Sequence, residues 1–298
     1  MASRVTERLV DAPCTDRVPR ATFQGLRALW FQLAGTLCNL ACRHCFNASG
    51  PRPPWLAPLD PAMVRRAIAE AEALGVREFY FTGGEPLLHP DLFPLLERAL
   101  AVAPTTLLTN GTLVDEPIAD RLAAIAEASR YSLEVRVSVD GATAEESDAV
   151  RGRGSFDKAL RAARLLATRR LYPIVTATEI ASPNASALYE RLRARLLEAG
   201  VERPRVKILP VIPTGRAARP DGTLPLSVED LAGASHVRLQ CAEARAVADG
   251  GIYACPILAG LPGARMARER LVDALGPTPL YHPACRTCYE TGLTCANA

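Results

Sequence analysis

Lysine is almost absent from these 298 residues: Lys158 and Lys207 are the only two, and arginine carries nearly all the positive charge. That skew, together with abundant alanine, reflects coding-base composition rather than a cationic surface built for a partner. The formal net charge of +3 is too weak a bias to predict nucleic acid or an anionic membrane. No run reaches the roughly eighteen apolar residues that a membrane-spanning helix needs. The opening residues, with Arg4, Glu7, Arg8 and Asp11, contain no apolar stretch of the kind a secretory signal requires. Without an export signal, nine cysteines predict metal or redox chemistry in a reducing compartment, the cytoplasm, and not a disulfide scaffold.

What the chain does have is a regular alternation of short apolar runs and longer amphipathic stretches. Strands are expected over Arg27–Leu33, Arg77–Thr82, Thr105–Thr109, Leu133–Val139, Pro173–Ile180 and Arg205–Val211, several of them rich in β-branched and aromatic residues. Helices lie between them. Asp60-Pro61 starts one and Gly75 ends it, Ser155 is expected to cap another, and Asn184 or Ser186 opens a third that stops near Gly200. Strand–helix alternation with long crossovers implies a parallel sheet. Six units fall short of the eight in a closed barrel, so the expected class is α/β: a partial (β/α)6 TIM-like barrel over 27–217. It follows a 26-residue extension without strand or helix periodicity. A small cysteine-rich α+β module is expected over 218–298.

Within the barrel, Cys38, Cys42 and Cys45 follow a C-x3-C-x2-C spacing. Iron–sulfur cubanes take four thiolates, one per iron, so three in a tight loop leave one iron open. Zinc is the alternative; its structural sites have four ligands, and His44 inside the same loop would struggle to complete a tetrahedron. The spacing resembles the radical S-adenosylmethionine (SAM) superfamily. That resemblance implies a [4Fe–4S] cluster whose open iron chelates SAM, reductive cleavage of SAM to a 5′-deoxyadenosyl radical, and an external low-potential electron donor such as flavodoxin or ferredoxin.

In open parallel sheets ligands gather at the carboxyl ends of the strands. The second strand runs into Thr82-Gly83-Gly84-Glu85-Pro86, where two glycines allow close backbone approach and Glu85 offers a carboxylate to an ammonium. In the resembling family this segment holds the amino group of SAM. Asn110 ends the third strand, in an ordinary turn or as a pocket wall. Ser138 and Asp140 share one face at the fourth strand's exit, and the resemblance implies that they contact SAM. His44 and Phe46 supply rings at the position that lies against adenine in the family. Arg151 is either a solvated loop charge or, as in related enzymes, a partner of the SAM carboxylate. Pro213-Thr214-Gly215-Arg216-Ala217 either lines the substrate pocket or marks the domain boundary.

Beyond the barrel come Cys241, Cys255, Cys285, Cys288 and Cys295. Asp249–Ala254 reads as a β-hairpin that would bring Cys241 toward Cys255, and Cys285-x2-Cys288 adds two thiolates. The set is similar to the twitch module, a shortened SPASM domain, which implies a second, auxiliary [4Fe–4S] cluster; a four-cysteine zinc ribbon is the rival. Cys295 would replace one ligand or remain free, and Cys14 has no evident partner. With only 26 residues ahead of the barrel and no diglycine at the end, the expected substrate is a small molecule undergoing oxidation or rearrangement. Peptide or protein modification is the alternative, and a non-catalytic metal-binding or electron-transfer protein lies in a different class.

Overall fold

In the computed structural model, residues 18–179, 184–218, 224–231 and 239–292 are described. Cys14 and Cys295 lie outside them. The first element is β1 (Arg20–Ala21), a short strand inside the stretch expected to have none. It pairs antiparallel with a late partner, Thr278–Pro279.

Six parallel strands follow where alternation places them: β2 (Ala28–Gln32), β3 (Glu78–Thr82), β4 (Thr105–Thr109), β5 (Leu133–Ser138), β6 (Ile174–Thr178) and β7 (Arg205–Leu209). They neighbour one another in sequence order. Every residue of β2 is buried, as expected of a strand covered on both faces. Leu29 and Phe31 of β2 join Phe79 and Phe81 of β3 in the larger apolar core, with the helices. Trp30 and Tyr80 point to the opposite face, where their rings stack at 3.9 Å between centroids.

The crossovers are α1 (Pro61–Ala73), α2 (Leu92–Leu100), α3 (Glu116–Ala128), the pair α4 (Ala144–Arg151) and α5 (Ser155–Thr168), and α6 (Ala185–Glu198). The Asp60 side chain accepts from the Ala62 N–H at 2.7 Å, and Gly75 adopts a positive φ just past the end of α1. Asn184, not Ser186, caps α6 by accepting from the Ala187 N–H. The start of α5 differs from expectation. Ser155 lies inside the helix, and the cap comes from α4: the Asp148 carboxylate accepts from the Gly154 and Phe156 N–H groups and from the Ser155 hydroxyl.

The C-terminal segment extends the same sheet. Strand β8 (Ala244–Ala248) pairs in parallel with β2. After the turn at Asp249-Gly250 it continues antiparallel into β9 (Gly251–Tyr253), the hairpin expected from sequence, followed by β10 (Arg265–Ala267). β11 (Thr278–Pro279) is the partner of β1, and α7 (Pro283–Thr291) closes the described chain. No helix among the described residues is long and apolar enough to cross a membrane.

Because Asp148 serves three donors at the entry to α5, Asp148→Ala should cost about 1–2 kcal/mol, the range for a lost helix cap. Ser155→Ala should cost less. Urea unfolding of the two variants measures the ranking, and an equal or larger loss at Ser155 would contradict this account of the cap.

Candidate functional site

The carboxyl ends of β2–β7 open onto a cavity bordered by all three cysteines of the first set. Its walls come from the strand ends and the cysteine loop, and Pro256 and Ile257 of the C-terminal segment close one side.

The loop from Thr36 to Gly50 contains no helix or strand, so its shape depends on contacts with neighbours. At its base, Cys38 N–H donates to Gly50 O and Gly50 N–H donates to Thr36 O. The exit of β3 lies against it: Glu85 N–H donates to Leu37 O at 2.9 Å, and a Cβ on Gly84 would stand 1.9 Å from that same oxygen. Glycine at 84 is therefore required first by packing against the loop. From the other side, Arg216 donates through Nε to Cys42 O at 2.7 Å and through Nη2 to Ser49 O at 2.6 Å, and its backbone N–H reaches Cys45 O. Gly215, at φ +60°, lies so close that a Cβ would meet Phe46 O at 2.3 Å. The Gly215-Arg216 turn is thus a clamp on the cysteine loop. Sequence reasoning singled out the segment but not this role; a glycine directly before an arginine was the available signal.

The sulfurs receive polar hydrogens. Leu40 N–H donates to Cys38 Sγ at 3.4 Å and Ser49 N–H to Cys45 Sγ at 3.3 Å, while the Asn110 amide lies 3.8 Å from Cys38 Sγ. Burial pushes the Cys38 thiol up to about 11. Cys42 is raised for the same reason, with Arg151 pulling the other way. Cys38 and Cys42 are buried and Cys45 half-buried, and the Cys38 and Cys45 sulfurs already accept hydrogen bonds, which suits ligation to a cationic centre that would stabilise the thiolates. Among the described residues, no three His, Cys, Asp or Glu side chains are grouped as one metal ion would require. The donor set instead fits a cluster with one thiolate per iron.

His44, Phe46, Gly83, Gly84, Asn110, Ser138 and Arg151 all border the cavity with the cysteines. Glu85 and Asp140 do not; both are fully buried behind its wall. Glu85 accepts from Thr109 Oγ1 and from the N–H groups of Asn110 and Leu87, tying the exits of β3 and β4 together beneath the cysteine loop. Asp140 accepts from Thr178 N–H, and its other oxygen stands 2.6 Å from Arg151 Nε and 3.0 Å from His44 Nε2. Burial alone would raise Asp140, but Arg151 and His44 outweigh it and hold the carboxyl well below the ordinary range. Both carboxylates that sequence assigned to a ligand are engaged by the protein, and Arg151 meets Asp140. The reason is burial: a carboxylate out of water needs partners of its own. An Asn39–Asn110–Thr112 side-chain network, not anticipated from sequence, fixes the amide beside Cys38.

The second cysteine set also comes together. Cys241, Cys255, Cys285 and Cys288 border one small apolar cavity, with Ile257 common to it and to the larger one. Cys241 sits in a short turn before β8, Cys255 follows β9, and α7 carries the other two. Burial pushes Cys285 up to about 12 and raises Cys241 and Cys255.

Desolvation pushes Glu85 from 4.5 up to about 7, against the pull of its three donors. A folded-state value above the unfolded one makes the folded protein the better proton binder in that interval. The stabilisation is therefore complete below about pH 4.5 and lost as pH rises through about 7. In chemical denaturation, wild type should lose stability between these limits relative to Glu85→Gln; parallel profiles would contradict the assignment.

Residues 34–181 match the family described as the radical SAM superfamily. The mycofactocin maturase MftC of Mycobacterium tuberculosis is 37% identical over 182 residues, 59% of this chain and 45% of that protein. The AdoMet-dependent heme synthase of Methanosarcina barkeri is 32% identical over 202 residues, 67% of this chain and 54% of that protein. The chain spans about half the length of these curated relatives. The fold is shared with Streptococcus suis SuiB bound to its precursor peptide SuiA, at a TM-score of 0.66 and 16% identity over 87% of this chain and 66% of that one. With a three-cysteine loop seated at the strand ends of a matching sheet, the chain belongs to the radical SAM superfamily and is an enzyme of that class.

Proposed function

We propose that this enzyme modifies a peptide, that Cys38, Cys42 and Cys45 hold the SAM-binding [4Fe–4S] cluster, and that Cys241, Cys255, Cys285 and Cys288 hold an auxiliary one. The observation that carries the peptide reading is the similarity to MftC, a maturase, over 182 residues. This reading takes the place of the small-molecule substrate expected from sequence. A small substrate keeps one supporting observation, the match to the heme synthase over a longer stretch of this chain.

Held by Cys38, Cys42 and Cys45, the first cluster with SAM would supply the radical chemistry for hydrogen abstraction from the substrate. The residues provide binding, orientation and shielding. Gly83 and Gly84 present backbone to the cavity, and Asn110 and Ser138 add polar contacts. Arg151 brings a cation whose charge is balanced by Asp140, so a carboxylate-bearing ligand meets an already oriented guanidinium. His44 and Phe46 offer ring faces to a base. Leu209, Ile212, Pro256 and Ile257 line the remaining wall with apolar groups that exclude water from a reactive intermediate. A low-potential flavodoxin or ferredoxin is the electron source in this reading.

Anaerobic reconstitution with iron and sulfide, followed by SAM and dithionite, tests the two cysteine sets. Cys38→Ala should abolish 5′-deoxyadenosine. Cys285→Ala should keep it while stopping substrate turnover. Full turnover in Cys285→Ala would contradict an essential auxiliary site. The substrate class is tested by supplying short precursor peptides encoded beside the gene. A SAM-dependent mass change in a peptide is expected, whereas coupled turnover of a small metabolite, with every peptide unchanged, would overturn the reading.

A further inference from the structure

Arg245 is the largest fully buried side chain among the described residues, and it donates to the backbone of Cys241 in the second cysteine set. Among the described residues no carboxylate pairs with it. Its donors are met by carbonyls instead: Nε by Ala274 O at 2.6 Å, Nη1 by Cys241 O and Ala244 O at 2.8 and 2.7 Å, and Nη2 by Gly276 O at 2.6 Å. The Phe23 ring covers the guanidinium at 4.1 Å. Four carbonyls and a ring satisfy hydrogen bonding but leave a full positive charge uncompensated out of water, an unfavourable arrangement unless an anion lies nearby. The guanidinium is tied to the second cysteine set through Cys241 itself, whose carbonyl it holds and whose side chain borders the small cavity with Cys255, Cys285 and Cys288.

We propose that Arg245 is the built-in counter-ion of the auxiliary cluster and raises its reduction potential. The inference rests on the proposed ligation of that cluster by Cys241, Cys255, Cys285 and Cys288. A four-thiolate cubane is anionic in both common redox states, and reduction adds one further electron, so a fixed neighbouring cation favours the reduced form. In this role Arg245 is a positioning and tuning residue. It makes the cluster a better acceptor for an electron leaving the substrate side, where Ile257 is the shared wall between the two cavities.

The test is a dithionite redox titration of the full chain followed by electron paramagnetic resonance, with the first cluster as internal reference. Arg245→Gln and Arg245→Met remove the charge, and Arg245→Lys keeps it. The neutral variants should titrate at lower potential than wild type, or lose half the bound iron, while the lysine variant keeps both the iron and a near-wild-type midpoint. Neutral variants with an unchanged midpoint would overturn the counter-ion role, as would a lysine variant that behaves like glutamine. A wild-type chain that binds one cluster only, or zinc at the second set, would instead overturn the ligation on which the inference rests.

Discussion

The loop carrying Cys38, Cys42 and Cys45 has no regular structure, and its geometry is imposed by backbone contacts made to it from three sides. Glu85 N–H holds Leu37 O, Val150 O receives the Arg43 N–H, and Arg216 grips the carbonyls of Cys42, Cys45 and Ser49. Each contact comes from a different strand exit or helix end of the sheet. Three thiols can be held in a fixed relation only while those elements keep their positions, so the parallel sheet acts as a jig for the loop. Gly84 and Gly215 are the points of closest approach, and neither tolerates a Cβ.

The buried charges follow one pattern around both cysteine sets. Near the first, Asp140 is held ionised by Arg151 and His44, while burial favours the protonated form of Glu85 among its three donors, so no carboxylate is left as an uncompensated anion behind the cavity wall. Near the second, the buried charge is a cation without a carboxylate. The two environments therefore differ in what they ask of a ligand. The first keeps a polar, balanced surround in which a zwitterionic molecule can be oriented. The second already carries the charge that an anionic centre would neutralise.

Much of the fold could be read from the sequence, because local signals and global topology agree. The strands β2–β7 all lie within the expected segments, and the caps at Asp60 and Asn184 follow from residue type. The Asp249-Gly250 hairpin was visible for the same reason. What could not be read was long-range. Asp148 caps α5 from the preceding helix, and β8 joins the sheet at β2 across more than two hundred residues. Arg216 closes on Cys42, 174 residues away, and no local pattern encodes such a contact. The site residues split along the same line. Gly83, Gly84, Asn110 and Ser138 were found by their place at strand ends and His44, Phe46 and Arg151 by family likeness, whereas the partners of Glu85 and Asp140 depended on burial, which a lone motif does not reveal.

The central claim is that three sulfurs, held in place by the sheet, leave one iron of a cubane free to bind SAM. Electron–nuclear double resonance of the reduced, reconstituted protein with SAM carrying a ¹⁵N-labelled amino group tests it most directly. The account predicts a hyperfine coupling between that nitrogen and the cluster, lost in Cys42→Ala. A cluster whose spectrum is indifferent to SAM, with no coupling to the label, would contradict it.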